Sequence, residues 1–275
     1  MTTGTLNVGG GDLYYETAGT GEALVLSHAA FLDSRMFDAQ FEALARDYRV
    51  IRYDMRGFGR SSPATQPVCR REDLRQLLDH LGVERAHLVG CSMSGTLLLD
   101  LALEQPDQPL SLTVVGATPS GYELTGQPPR YVMEMIDALQ HGDVARANEL
   151  QIRIWLDGSY REPDQVDSAL REKALAMNLI PVRQGTFFIA DGQPACPLDP
   201  PAMDRLEDIR CPVLVVAGAL EAPVMLEVAE MMAARLPNAR KVVIDGAAHV
   251  PSYEKPEVFN PLLLGFLREA QPADA

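Results

Sequence analysis

The chain of 275 residues is long enough to bury a substantial core, either as one large α/β domain or as a domain with an inserted lid. Its content of 47% hydrophobic and 23% charged residues is ordinary for a globular protein. The formal net charge of −14 argues against nucleic acid or an anionic membrane surface as a partner. A neutral or apolar substrate fits this charge better.

The cysteines and the start of the chain predict a cytoplasmic protein. The four cysteines are widely spaced and form no Cys-x-x-Cys pair, which favours reduced thiols. Residues 1–5 lack the basic start and apolar stretch of a secretory leader, and no apolar run reaches the length of a membrane span. The sequence contains no cluster of metal-ligating residues and no phosphate-binding glycine loop, so we expect no metal and no cofactor. We also expect no membrane partner, and we expect the chain to be a monomer or homodimer.

The first part of the chain predicts strands that alternate with helices. Residues 6–8 and 13–17 flank a glycine run and are typical of a hairpin. Residues 23–27 form a continuous apolar run, as expected for a strand that is covered on both faces. The next predicted elements are a helix at 42–48, a strand at 48–53, an amphipathic helix at 72–81, a strand at 87–89, a helix from residue 96 and a strand at 112–116.

The alternation stops between residues 119 and 208 and then resumes. Apolar residues at helical spacing in this stretch predict several helices, the third at 161–177, without strands of their own. The resumed pattern predicts strands at 212–217 and 240–244 and helices at 225–236 and 256–267. We therefore predict an α/β fold with a mostly parallel, doubly wound sheet. Residues 1–118 and 209–275 form its core domain, and 119–208 form a helical lid.

The stretch Val89-Gly90-Cys91-Ser92-Met93-Ser94-Gly95 lies between a predicted buried strand and a predicted helix. A strand, a sharp turn of small residues and a helix are the context of a nucleophile elbow, with Ser92 at its tip. Small residues on both sides of the serine let the strand and the helix approach closely. Gly90 fills the first small position, whereas the second holds Ser94, with Gly95 one place later. We predict that Ser92 is a nucleophile rather than a structural serine.

A serine nucleophile needs a base, and the base needs a carboxylate that orients it. His249 and Glu221 each lie on a loop after a predicted strand in the C-terminal part of the chain. Loops at the carboxyl ends of parallel strands converge on one crevice, so we expect Ser92, Glu221 and His249 to meet there. Asp245 and Asp191 are weaker candidates for the carboxylate.

The order nucleophile, acid, histidine is that of the α/β-hydrolases, and the whole chain resembles this superfamily over roughly residues 5–268. More narrowly, it is similar to lid-bearing esterases and 3-oxoadipate enol-lactonase-like enzymes. The resemblance rests on five motifs in the family's order: Ser27-His28-Ala29-Ala30, Asp54-Met55-Arg56-Gly57-Phe58-Gly59-Arg60-Ser61, Gly90-Cys91-Ser92-Met93-Ser94-Gly95, Gly218-Ala219-Leu220-Glu221 and Gly246-Ala247-Ala248-His249. The family more often has aspartate where this chain has Glu221.

The resemblance implies that the backbone N–H groups of Ala30 and Met93 form the oxyanion hole. Phe31, next to Ala30, and Trp155, in the lid, are candidates for contact with substrate, although an apolar lid residue more often serves packing. We expect His28 to be structural rather than catalytic. We expect Cys91 to point away from the site, because side chains alternate along an extended segment.

The leading hypothesis is a serine hydrolase of small carboxylic esters or lactones that forms an acyl-enzyme on Ser92. A C–C bond hydrolase or a perhydrolase would use the same three residues. A receptor with the hydrolase fold and little turnover belongs to a different class, and fold alone does not decide between these functions. The lid leaves the identity of the substrate open.

Overall fold

A computed structural model describes residues 1–124, 128–192 and 195–270. Its strands are β1 (Thr2–Asn7), β2 (Asp12–Ala18), β3 (Ala23–Ser27), β4 (Arg49–Tyr53), β5 (Ala86–Cys91), β6 (Pro109–Val115), β7 (Val213–Gly218) and β8 (Ala239–Ile244). They form one sheet in the order β1-β2-β4-β3-β5-β6-β7-β8. β2 is antiparallel to both of its neighbours, and the pairs from β4 to β8 are parallel. The predicted α/β fold is confirmed.

The helices flank this sheet and fill the interval between β6 and β7. They are α1 (Asp38–Leu44), α2 (Arg70–His80), α3 (Met93–Glu104), α4 (Val132–Gln140), α5 (Val144–Ile152), α6 (Ser168–Gln184), α7 (Thr186–Ile189), α8 (Pro223–Arg235), α9 (Pro251–Glu254) and α10 (Pro256–Glu269). A π-helical turn, Arg153–Asp157, continues α5. The helix expected at 42–48 begins four residues earlier and ends at Leu44, because a short 3-10 turn capped by Asp33 leads into it.

The apolar strands supply two cores, one on each face of the sheet. Neighbouring residues of β5 point to opposite faces, so Leu88 packs with the leucines of α2 and α3, and Val89 packs with the aromatic residues of α1 and α10. All six residues of β5 are buried, as are all six of β7. This coverage explains why their sequences are continuous apolar runs.

The interval between β6 and β7 contains helices and no strand among its described residues. Its third helix starts at Ser168 rather than at 161, because Asp167 caps it by accepting the Leu170 N–H group. Some apolar residues of the interval form a small cluster of their own, and others, such as Met177, join the main core. The division into a core and a lid at 119–208 stays a prediction.

Cys69 and Cys196 form a disulfide across 127 positions of sequence, so the expectation of four reduced cysteines is wrong for this pair. Cys69 precedes α2, and the neighbouring Arg71 donates a hydrogen bond to the Cys196 carbonyl group. Arg70 also forms an ion pair with Asp191. These contacts hold the returning end of the interval against α2, and no sequence spacing could reveal them. The cytoplasmic location stays a prediction.

In the described part of the chain, no helix combines the length and the hydropathy that crossing a bilayer requires.

Replacing both Cys69 and Cys196 with serine should lower the free energy of unfolding by about 2–4 kcal/mol, because the bond closes a long loop in the unfolded chain. Urea denaturation measures this loss. A reductant should lower the wild-type midpoint and leave that of the double variant where it is. Equal midpoints for the oxidised wild type and the double variant would contradict the prediction.

Candidate active site

Ser92 occupies the sharp turn between β5 and α3. Its backbone has φ 56° and ψ −122°, a conformation that residues other than glycine rarely adopt. A Cβ at Gly90 would lie 2.6 Å from the Ser94 carbonyl oxygen, and a Cβ at Gly95 would lie 2.4 Å from the Ala117 Cβ. The two positions that must lack a side chain are therefore 90 and 95. Ser94 does not occupy the crowded position, although the sequence motif suggested that it would.

Ser94 instead uses its hydroxyl group within the buried interior. Its Oγ donates a hydrogen bond of 2.6 Å to the carbonyl oxygen of His28. The ring of His28 donates from Nδ1 to the Ala29 carbonyl group and accepts the Met55 N–H group at Nε2, both at 2.9 Å. Burial lowers the pKa of His28, which agrees with a neutral ring carrying its proton on Nδ1. His28 is structural, as expected.

Two hydrogen bonds hold the peptide group between Ala29 and Ala30, and the Ser94 bond holds the peptide group before it. The Ala29 carbonyl group accepts from the His28 ring and also from the Leu32 N–H group at 3.1 Å. The N–H group of Ala30 is trans to that carbonyl and points the opposite way. Ala30 and Met93, the two predicted oxyanion donors, both line a cavity of about 220 Å³, which we call the smaller cavity.

The side chains of Ser92, His249 and Glu221 form one hydrogen-bonded line. The distance from His249 Nε2 to Ser92 Oγ is 2.9 Å, and His249 Nδ1 lies 3.0 and 3.1 Å from the two carboxylate oxygens of Glu221. The three residues follow β5, β8 and β7, and these strands end at the same edge of the sheet. The alternative acids are elsewhere, since Asp245 is exposed and Asp191 is paired with Arg70.

A family model described as the alpha/beta hydrolase fold matches residues 22–256. The chain belongs to the α/β-hydrolase family. The predicted resemblance to this superfamily is thereby confirmed.

Relatives of this α/β-hydrolase include named hydrolases of different substrates. A putative carbamate hydrolase, RutD, of Azorhizobium caulinodans is 30% identical over 95% of this chain and 97% of its own. The 3-oxoadipate enol-lactonase 1 of Acinetobacter baylyi is 27% identical over 90% of each chain. The solved structure of a thermophilic esterase from Thermogutta terrifontis has a TM-score of 0.80 and 25% identity, and the match covers 99% of this chain and 100% of that one.

The charge near His249 favours its protonated form. Burial lowers the pKa of this histidine, but the Glu221 carboxylate and, more weakly, that of Glu254 outweigh burial and raise the pKa above the ordinary histidine value. The ring can accept a proton from Ser92 only when it is neutral. Activity that depends on His249 is therefore lost as the pH falls through this raised pKa.

Glu254 is a member of the site that the sequence analysis did not single out. It begins no motif and lies on the short helix α9, five residues after His249. Its Oε1 accepts the N–H groups of Ala248 and Val250, on either side of the histidine, at 2.9 and 3.4 Å. Its Oε2 forms a 2.6 Å ion pair with Arg161 of the inserted interval. This carboxylate fixes the backbone that carries His249.

The larger cavity of the α/β-hydrolase, about 510 Å³, opens onto Ser92, Glu221 and His249. Its remaining lining is mainly apolar, and no lysine or arginine belongs to the lining within the described residues. Trp155 lines it from the π-helical turn, with its ring centroid 4.9 Å from that of His249. Phe31 is only 3% exposed, packs 6.4 Å from His249, and lies outside this lining.

Cys91 points into the core, as expected, and burial raises the pKa of its thiol. A buried, protonated thiol is a poor nucleophile, which favours Ser92 over its neighbour.

Glu221→Gln removes the carboxylate charge and keeps the size of the side chain. We expect kcat to fall by about 10,000-fold, because the histidine loses its correct tautomer and the charge that stabilises its protonated form. The acid limb of the kcat/KM profile should move to lower pH, because the principal charge that raises the His249 pKa is gone. The measurement is a pH–rate profile. Asp245→Asn, an exposed change near the same histidine, should leave the limb unmoved, and an unmoved limb in Glu221→Gln would contradict the assignment.

Ser94→Ala leaves the buried His28 carbonyl group without its hydroxyl donor, at a cost of about 1–3 kcal/mol. We expect kcat to fall roughly tenfold with little change in KM, because the Ala30 N–H group would act on the transition state rather than on the bound substrate. Steady-state kinetics and thermal melting separate the two effects.

The matched control for Ser94→Ala is Ser111→Ala, which breaks a buried serine bond to His87 far from the site. It should lower the melting temperature and spare kcat. Equal losses of kcat in the two variants would show that Ser94 has no specific effect on catalysis.

Proposed function

We propose that this α/β-hydrolase is a serine hydrolase of small, neutral carboxylic esters or lactones, acting through an acyl-enzyme on Ser92. The observation that carries the proposal is the line from Ser92 through His249 to Glu221, with hydrogen-bonding distances of 2.9 to 3.1 Å, beside an apolar cavity. Hydrolase relatives and membership of the family support it.

In the proposed mechanism, Ser92 Oγ attacks the ester carbonyl carbon while His249 Nε2 takes the hydroxyl proton. The negative oxygen of the tetrahedral intermediate accepts hydrogen bonds from the Ala30 and Met93 N–H groups, each contributing about 3 kcal/mol. His249 then gives its proton to the leaving alcohol oxygen. A water molecule, activated by the same ring, attacks the acyl-enzyme and releases the acid. Glu221 stabilises the positive ring in both halves of the reaction.

The lining of the larger cavity supports a substrate without a carboxylate. A carboxylate placed there would meet Glu221 and apolar side chains, with no lysine or arginine among the described lining residues to offset its desolvation. The net charge of −14 adds long-range repulsion. The lactonase relative is named for an adipate, so we propose a different, uncharged acid portion for the substrate of this chain.

We further propose that residues 119–208 act as a lid over this site, with Trp155 contacting the substrate. The protein would be cytoplasmic, as a monomer or homodimer, and its partner would be the small-molecule substrate alone.

Carbamate hydrolysis is a second candidate, favoured by the 30% identity to putative carbamate hydrolases over nearly the whole chain. The same nucleophile and base would attack a carbamate carbonyl group. A 510 Å³ apolar cavity favours a bulkier ester over a small polar carbamate. Side-by-side turnover of alkyl esters and alkyl carbamates of equal length discriminates between the two. The hydrogen bond between Ser92 and His249 favours catalytic turnover over the role of a receptor that has the hydrolase fold and little turnover.

A fluorophosphonate probe should label the wild-type protein at Ser92, and Ser92→Ala should lose both labelling and hydrolysis of p-nitrophenyl esters. The physical reason is that the probe requires an activated serine oxygen. Mass spectrometry of the labelled peptide locates the adduct. Ser111→Ala, which alters a distant buried serine, should label normally. Labelling or ester turnover that persists in Ser92→Ala would refute the proposal.

A further inference from the structure

We propose that the substrate occupies both cavities at once and that Phe187 forms the wall that limits the length of the group in the smaller cavity. This inference rests on the proposed function and extends it to a substrate class. The class is neutral esters with one bulky apolar substituent and one short substituent, joined at the carbonyl group beside Ser92.

The two cavities lie next to each other, beside Ser92. Met93 and Phe187 line both cavities, Ser92 lines the larger one and Ala30 lines the smaller one. A carbonyl carbon attacked by Ser92, with its oxygen held by the Ala30 and Met93 N–H groups, would lie at this junction. The two substituents of an ester leave its carbonyl carbon in different directions. One of them therefore enters the larger cavity and the other enters the smaller cavity.

The volumes and linings of the cavities set what each one can hold. At roughly 30 Å³ for a water-sized group, the smaller cavity of about 220 Å³ holds about seven such groups. The larger cavity, about 510 Å³, holds more than twice as many. Asp191 and Gln151 also line the smaller cavity. Asp191 is already paired with Arg70, and no lysine or arginine is among the described lining residues to pair with an anionic substituent, so a short neutral group fits best.

Phe187 is held between the cavities by an anchored segment. It lies on α7, which follows Gly185 in the left-handed conformation, with φ 65°. The buried Thr186 donates its hydroxyl group to the Gly57 carbonyl oxygen at 2.9 Å. At the other end of α7, the Ala190 carbonyl group accepts the Val68 N–H group. The backbone of the wall is thus attached to the core of the protein at both ends.

The ring of Phe187 can be removed without breaking the core. Phe187 is 48% exposed, and its ring contacts that of Phe188 edge to face at 5.3 Å between centroids. Half-exposed apolar side chains of this kind contribute little to stability compared with core residues. Phe187→Ala should therefore change the boundary of the cavities while leaving the fold intact. Ile189→Ala is the matched control, because Ile189 lies on the same helix, is 38% exposed and lines neither cavity.

Two ester series measure the limits of the two cavities. One series varies the acyl chain from two to about twelve carbons on a fixed p-nitrophenyl group, and the other varies the alkyl alcohol on a fixed butyryl group. For the wild type, kcat/KM should fall beyond a short chain in one series and keep rising in the other. In Phe187→Ala, kcat/KM should no longer fall at that chain length. The ratio of kcat/KM for the long esters of that series to kcat/KM for its shortest ester should rise at least tenfold over the wild-type ratio.

Ile189→Ala should keep the wild-type profile in both series. An unchanged profile in Phe187→Ala, or an equal change in Ile189→Ala, would overturn the inference. Failure of the proposed function is a different result, namely no ester turnover in the wild type or turnover that survives in Ser92→Ala. If esters are not turned over, the rate at which alkyl fluorophosphonates of graded chain length label Ser92 gives the same comparison, because labelling needs no second step.

Discussion

The close contact between β5 and α3 at Ser92 is the constraint on which the site depends. The serine can take its positive φ only because Gly90 and Gly95 leave no side chain between the strand, the helix and the neighbouring strand end. This turn exposes Oγ toward His249 and places the first N–H groups of α3, which have no partner within the helix, beside it. Glu221 and His249, the other two members of the hydrogen-bonded line, lie on loops that converge on this one point.

The loop that carries His249 is held by polar contacts as well as by apolar packing. Glu254 accepts the N–H groups on both sides of His249, and Arg161 binds the same carboxylate from the inserted interval. The position of His249 therefore depends in part on a residue of the inserted interval. Near Ser92, the His28 ring holds the carbonyl group of the peptide between Ala29 and Ala30, and Ser94 holds the preceding carbonyl group, that of His28. Residues of the inserted interval and of the loops after the strands therefore both position the groups around Ser92.

The sequence predicts the fold and the line of Ser92, Glu221 and His249 because these depend on local order along the chain. Buried strands appear as apolar runs, and a reactive side chain that follows such a run must lie at the sheet edge. The hydroxyl role of Ser94 and the bond from Cys69 to Cys196 depend on contacts between distant segments, which leave no periodic pattern. The position of Phe31 outside the cavity has the same origin, since its neighbours come from other elements. Glu254 lies close to His249 in sequence, but it belongs to none of the motifs that drew attention to the site.

The bond between Cys69 and Cys196 has a consequence for how a ligand reaches Ser92. The inserted interval leaves the sheet after β6 and returns to it before β7, and the disulfide adds a third fastening, on α2. The bond lies near the returning end of the interval, so that end cannot separate from α2 while the bond is intact. Any widening of the path to Ser92 in the oxidised protein has to leave this end in place.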